Sequence, residues 1–201
     1  KVLLIGDLML DHYIIGKSNR ISPEAPVPVV IPEEEYFIPG GAGNVAMNLR
    51  SMGADVTCLG VIGDDIWGKK LLSILENEGI NINDIKIIKN PPTKLKQRIY
   101  SNGKQVARLD KEKIIDFKSN FLSNDINNYD VCILSDYNKG VIKDIKINTD
   151  MVIVDPKKDD FSLYKNAHII TPNFNELQRA TQIDIKDIKY DLTGKRVLIL
   201  G

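Results

Sequence analysis

Two cysteines, two histidines and one tryptophan are all that 201 residues supply of the side chains that build disulfide frameworks and imidazole metal sites. Cys58 and Cys132 each lie inside an apolar run, "VTCLGVIG" and "DVCILSD", which reads as two buried free thiols and not as a disulfide scaffold. His12 and His168 have no partner at metal-ligand or catalytic-triad spacing, and Trp67 sits in an amphipathic stretch where packing explains it. Charge of one sign is also missing, because 27 Lys and Arg balance 27 Asp and Glu. With no net field, nucleic acid and acidic membranes are not expected partners. No apolar stretch reaches the roughly 20 residues of a membrane helix, and no signal-peptide pattern opens the chain, so the expected address is the cytoplasm. The chain starts directly on a strand-like run, and a few native residues are expected ahead of Lys1. Internal repeats and low-complexity linkers are absent too, which leaves one core.

What is present is a series of short apolar runs ending in glycine or aspartate: "VLLIGD", "VTCLGVIGDD", "VCILSDY", "MVIVDPK", "HIITPN" and "RVLILG". Runs without polar alternation suit strands buried on both faces. Between them, "GNVAMNLRSMG" sets Val45, Leu49 and Met52 on one helical stripe and stops at Gly53, and "DIWGKKLLSILENEG" stops at Gly79. Alternating strand and helix predict an α/β fold, a doubly wound, mostly parallel sheet with helices on both faces. Two regions break the rhythm. Residues 13–38 hold short extended pieces rich in proline, and residues 94–109 read as a hairpin turning on Asn102-Gly103. Together they predict a small antiparallel flap, with Glu33 to Glu35 as a solvated edge.

Open parallel sheets bind ligands beyond the carboxyl ends of their strands. There the chain is polar: Asp7 and Asp11 follow the first run, Asp64 and Asp65 the second, Asp136 the third, Asp155 and Lys157 the fourth, Asn173 and Glu176 the fifth. One such aspartate is usually a helix cap, but five polar strand ends read as the rim of an active site. Gly40, Gly41 and Gly43 in "PGGAGNVAMNL" fit a turn at a helix start, where backbone N–H groups can approach a ligand or the chain can turn tightly. The spacing matches neither the P-loop nor the dinucleotide fingerprint.

The same stretch resembles the N-terminal signature of the ribokinase-like carbohydrate kinases. "GDLMLDHY", "SNRISPEAPVPVV", "VIGDDIWGKKL", "TKLKQRIYSNGKQVARLD", "LSDYNKGVI" and "VDPKKDDFSLYKNAHIITPNFNEL" resemble, in order, the kinase domain of the bifunctional heptose kinase and adenylyltransferase family of lipopolysaccharide synthesis. The resemblance implies a ribokinase-like fold with an antiparallel lid and ATP-dependent phosphorylation of D-glycero-β-D-manno-heptose 7-phosphate at O1. It implies sugar contacts from Asp11, Gly40, Gly41 and Asn44, with Arg108 and Lys139 as the better cation candidates among Arg20, Lys96, Arg98, Arg108, Lys139 and Lys157. Lys96 reads as a solvated surface charge. Lys157, Asn173 and Glu176 are implied at the nucleotide phosphates, Glu176 reaching Mg2+ through water, although Asn173 and Glu176 also have the spacing of a helix capping box.

The family's catalytic element is a later Gly-Ala-Gly-Asp stretch, and the 201 residues contain none. The base is therefore expected beyond Gly201, the C-terminal part of the kinase domain is expected to be missing from these 201 residues, and this chain alone is expected to be inactive. Two alternatives stay open: another acceptor of the same family, such as fructose 1-phosphate, or a non-catalytic sugar-phosphate-binding fragment. A homodimer through the flap is the expected assembly, because its edges would otherwise stay exposed.

Overall fold

The computed structural model describes residues 1–114, 128–143, 147, 149–164, 167–182 and 196–197. Its first strand, β1 (Val2–Gly6), lies between β4 (Val56–Leu59) and β9 (Val131–Ser135), in parallel with both. Beyond β9 follow β10 (Val152–Asp155), β11 (Ile169–Ile170) and β12 (Arg196–Val197), giving the order β12-β11-β10-β9-β1-β4 with every pairing parallel. Leu3 and Ile5 belong to one apolar cluster and Leu4 to another, so β1 is buried on both faces. That is why its sequence shows no polar alternation.

β4 stops at Leu59, and the rest of its apolar run becomes β5 (Val61–Gly63), which pairs with β6 (Lys86–Ile88) in a separate parallel pair. Gly60 marks the break: a Cβ there would stand 2.8 Å from the Gly6 carbonyl and 2.8 Å from Leu8 Cδ1. One continuous run in sequence thus serves two sheets.

The flap is a four-stranded sheet in the order β3-β2-β7-β8, formed by β2 (Leu8–Lys17), β3 (Ile31–Gly41), β7 (Leu95–Ser101) and β8 (Lys104–Lys111). It is mixed, since β2 runs parallel to β7 and antiparallel to β3. Its first two strands span 10 and 11 residues, longer than the short pieces expected from sequence. Pro23, Pro26 and Pro28 fall in the connection, and Pro32 and Pro39 lie on β3, an edge strand where a missing N–H is tolerated. β7 and β8 turn at Asn102 (φ 50°) and Gly103 (φ 77°), the left-handed pair that this hairpin type requires.

Helix α1 (Ala42–Ser51) packs through Ala42, Gly43 and Ala46, while Val45 and Leu49 are only partly buried and Met52 is 75% exposed. The stripe read from the larger side chains is therefore displaced toward the small ones, which let the helix approach the sheet closely. α2 (Ile66–Asn77) buries Leu71 and Leu75 and is capped by Asp65, which accepts Gly68 N–H at 2.8 Å. Cys58 and Cys132 are free and buried, and burial pushes both thiols up to about 12. His12 packs between Phe37 and Trp67 with centroid distances of 4.3 and 5.8 Å, as a packing residue would. Glu33 and Glu35 are exposed and reach Lys17 and His12.

Candidate active site

β1 connects onward to β4 on one side, and β9 connects to β10 on the other. The sheet therefore reverses its winding between β1 and β9, and a crevice opens beyond their carboxyl ends. Asp7, directly after β1, is fully buried there. Its Oδ2 accepts the backbone N–H groups of Tyr137 and Lys139, each at 3.0 Å, and Oδ1 accepts that of Val141 at 3.4 Å. One carboxylate thus shapes the whole loop after β9. Asp136 is also committed to structure: it accepts Asn138 N–H at 2.7 Å and the Tyr164 hydroxyl at 2.6 Å, and pairs with Lys158 at 3.1 Å.

The glycine turn joins β3 to α1. Gly41 has φ +56°, and Ala42 N–H donates to the Asp7 carbonyl at 3.0 Å. Among the described residues no side chain caps α1, whose first N–H is taken by that backbone carbonyl. Asn44, exposed, stands in its first turn. Gly40 faces Asp11: a Cβ there would lie 2.6 Å from Asp11 Oδ2. Gly43 is different, since its Cβ would meet Pro39 Cβ at 2.9 Å, a packing constraint.

Asp11 lies on β2 and receives Arg98 Nη1 at 2.6 Å from β7, with the guanidinium 5.2 Å over the Tyr13 ring. Arg108 is opposite Arg98 on β8, on the same face of the sheet, and its fork donates to Asp110 through two bonds of 2.8 and 2.7 Å. Asp110 is held below the ordinary carboxylate range, first by that bond from Arg108, with Lys96 and Arg98 adding to it. Lys96, Arg98, Arg108, Asp11 and Asp110 therefore form one charged patch. Arg20 stays on the exposed connection between β2 and β3 and joins this patch through no ion pair among the described residues.

On the far side of the crevice, Asn173 and Glu176 open α3 (Phe174–Thr181) as a full capping box. Asn173 N–H donates to Glu176 Oε2 at 2.8 Å, and Glu176 N–H donates to Asn173 Oδ1 at 3.0 Å. Glu176 is buried, and its other oxygen is taken by Lys157. Burial, followed by the neighbouring Glu176, raises the pKa of Asp155 above the usual carboxylate range. Both Glu176 oxygens are occupied, so this residue suits a water-mediated contact to a cation better than direct ligation. No cluster of three or more His, Cys, Asp or Glu of metal-holding geometry occurs among the described residues.

Tyr137 connects the two sides. Its N–H donates to Asp7, which also holds the glycine turn through Ala42 N–H, and Lys157 Nζ lies 5.9 Å from its ring centroid, while burial, followed by Asp155, raises its phenol pKa. Sequence reasoning did not single out Tyr137, although its motif was noted. It also missed Lys94 and Glu112. Lys94 occupies an ordinary polar position in a strand-like run and is 2% exposed, and nothing in the sequence marks that burial. Lys139, which was expected here, donates from Nζ to Glu112 Oε1 at 2.8 Å.

Three comparisons bear on this arrangement. The family model described as pfkB family carbohydrate kinase matches residues 1–192. The bifunctional protein HldE of Sulfurimonas denitrificans is 42% identical over 203 residues, covering 93% of this chain and 43% of that protein. HldE of Helicobacter pylori strain J99 is 42% identical over 202 residues, covering 92% and 43%. The chain thus spans less than half the length of these relatives. Among solved structures, Thermotoga maritima ribokinase has a TM-score of 0.65 at 15% identity, covering 90% of this chain and 62% of that one. Arabidopsis thaliana ribokinase, solved with ribose and ATP, also has a TM-score of 0.65, at 18% identity and with the same coverage of 90% and 62%. At such identity they establish the fold, which is ribokinase-like.

Proposed function

The chain belongs to the pfkB family of carbohydrate kinases, and from that premise we propose that it carries the acceptor site and part of the nucleotide site of an ATP-dependent heptose 7-phosphate kinase. The observation that carries this reading is the pairing of two unlike half-sites around Tyr137. One is a carboxylate, Asp11, seated over Gly40 beside an uncapped helix start; the other is the Lys157–Glu176–Asn173 group. The preference for D-glycero-β-D-manno-heptose 7-phosphate rests on the likeness to HldE proteins over more than nine-tenths of the chain.

In this reading Asp11 accepts hydrogen bonds from sugar hydroxyls, which are strong because the acceptor is charged. Asn44 and the first N–H groups of α1 orient the ring above Gly40 and Gly41. Arg108 presents a planar fork, already engaged with two carboxylate oxygens of Asp110, and a 7-phosphate would compete for that same geometry, with Lys139 and Arg98 adding charge. Lys157 and Asn173 face the nucleotide phosphates. Mg2+, held through water near Glu176, would offset phosphate charge when bound. O1 of the sugar attacks the γ-phosphorus, the bond from that phosphorus to the ADP oxygen breaks, and the O1 proton passes to a base. Asp136 is fully hydrogen-bonded and Asp7 is closed behind a loop, so neither is assigned as that base. The strands of residues 13–38 and 94–109 act as a lid that excludes water, the competing acceptor. A cytoplasmic location and a homodimer through the lid complete the reading. Exposed Val106 and Leu109 on the edge strand β8 support such pairing.

The test is an ATP-dependent phosphorylation assay on the full gene product, with heptose 7-phosphate and fructose 1-phosphate in parallel and the product followed by 31P NMR. A new anomeric phosphate on the heptose alone is expected. Turnover of fructose 1-phosphate alone would overturn the acceptor assignment, and turnover of neither would overturn the kinase reading.

A further inference from the structure

One group of buried charges, around Lys94 and Glu112, has no part in these roles. Lys94 immediately precedes β7, and its Nζ stands 3.6 Å from Asp7 Oδ1, beyond hydrogen-bond reach. That nitrogen is buried and has no hydrogen-bond partner among the described residues. Asp7 is ill placed to complete the pair, since its oxygens already accept three backbone N–H groups. Burial pulls the Lys94 pKa below the ordinary lysine value, and Asp7 counteracts only part of that pull.

Glu112, just past the end of β8, has the complementary defect. Its Oε1 accepts the Lys139 ammonium, while its buried Oε2 has no hydrogen-bond partner among the described residues. Asp7, 3.6 Å from Lys94 Nζ, accepts the backbone N–H of Lys139 at 3.0 Å, and the Lys139 ammonium holds Glu112 at 2.8 Å, so a chain of contacts joins the two orphaned groups in one cluster. An unpaired buried donor and an unpaired buried acceptor are each costly, and their occurrence together marks a place built for a third group. That group must accept from an ammonium and donate to a carboxylate, which is what a hydroxyl does. The cluster stands where β7 begins and β8 ends, at the root of the lid, and it includes Lys139 of the site loop.

We propose that Lys94 and Glu112 form a hydroxyl-binding subsite that takes one hydroxyl of the acceptor sugar: Lys94 Nζ donates to its oxygen and Glu112 Oε2 accepts its proton. The subsite rests on the sugar-kinase reading. It adds a specificity element that registers the sugar from the lid root.

The experiment is isothermal titration of the full gene product with D-glycero-β-D-manno-heptose 7-phosphate and its monodeoxy analogues, using wild type, Lys94→Met and Glu112→Gln. In wild type, one analogue binds about 10- to 100-fold more weakly than the parent sugar, the range for a hydrogen bond to a charged group. Both variants lose that discrimination, binding parent and analogue alike, while ATP affinity is unchanged. Glu112→Gln keeps the shape of the site and carries the test if Lys94→Met fails to fold. Equal weakening of every analogue, or wild-type discrimination retained in Glu112→Gln, overturns the subsite and leaves only a resident water between the two groups. A wild-type protein that binds neither heptose 7-phosphate nor fructose 1-phosphate overturns the kinase reading, and the subsite with it.

Discussion

Adjacent glycines in the turn before α1 should fail in different ways when each is given a methyl group. In Gly40→Ala the new Cβ would lie 2.6 Å from Asp11 Oδ2 and 2.9 Å from Met9 Cγ, both atoms of side chains that can rotate away. Yielding moves the Asp11 carboxylate off its 2.6 Å contact with Arg98. The stability cost is that of modest overpacking, about 1–3 kcal/mol. The half-buried ion pair adds less than about 1 kcal/mol. Acceptor binding loses a charge-assisted hydrogen bond worth about 1.5–3 kcal/mol, so affinity for the sugar phosphate falls about 10- to 150-fold. In Gly41→Ala the Cβ would meet the Asp7 backbone carbonyl at 2.4 Å, at φ +56° and ψ −131°. Backbone cannot yield as a side chain does, so about 1–3 kcal/mol of conformational strain adds to the overpacking. At about 2–4 °C per kcal/mol for a domain of this size, Gly41→Ala should melt several degrees below Gly40→Ala. Calorimetric melting and titrations with heptose 7-phosphate and ATP measure both effects. Gly40→Ala with undiminished acceptor affinity, or with sugar and ATP binding lost in parallel, would refute the claim that Gly40 is there to seat Asp11.

Asn173→Ala should cost about 0.5–2 kcal/mol through loss of the cap of α3, whereas Glu176→Gln should weaken ATP binding with little change for the acceptor, because it removes the partner of Lys157; paired melting and titration curves separate the two. Native Cys58 and Cys132 should resist alkylation near neutral pH and react only on unfolding, as mass spectrometry with and without urea will show. Their folded pKa values, pushed up to about 12, exceed the unfolded value of 9.0, so the folded state holds protons that the unfolded chain releases. The stability this confers is fully present below pH 9 and is lost between pH 9 and 12 as pH rises, by about 1.4 kcal/mol per pH unit for each thiol. Urea titrations of wild type and a Cys58→Ala, Cys132→Ala variant across that window should diverge in slope, and parallel slopes would contradict it.

The sequence by itself determined the parallel sheet, because a strand buried on both faces must be apolar at every position, as Val2 to Ile5 and Val152 to Val154 are. It determined the hairpin, because Asn102-Gly103 is one of few pairs that tolerate positive φ at both turn positions. It also marked the polar strand ends and the glycine turn, since those residue types are costly elsewhere. Tertiary structure decided which of the polar residues are free to act. Asp65, Asp136 and Asp11 look alike as aspartates near strand ends, yet the first caps α2, the second is saturated by Asn138, Tyr164 and Lys158, and the third accepts from Arg98 across the lid sheet. It alone decided that "VTCLGVIG" divides between two sheets, that α1 packs through alanine and glycine, and that Lys94 is buried. The physical reason is range: backbone preference and burial pattern act over a few neighbours and are written locally. Whether a charged group is solvated, paired or orphaned depends on what the fold brings to it from distant parts of the chain, as when Lys94 is buried beside Asp7 and Lys139 reaches Glu112.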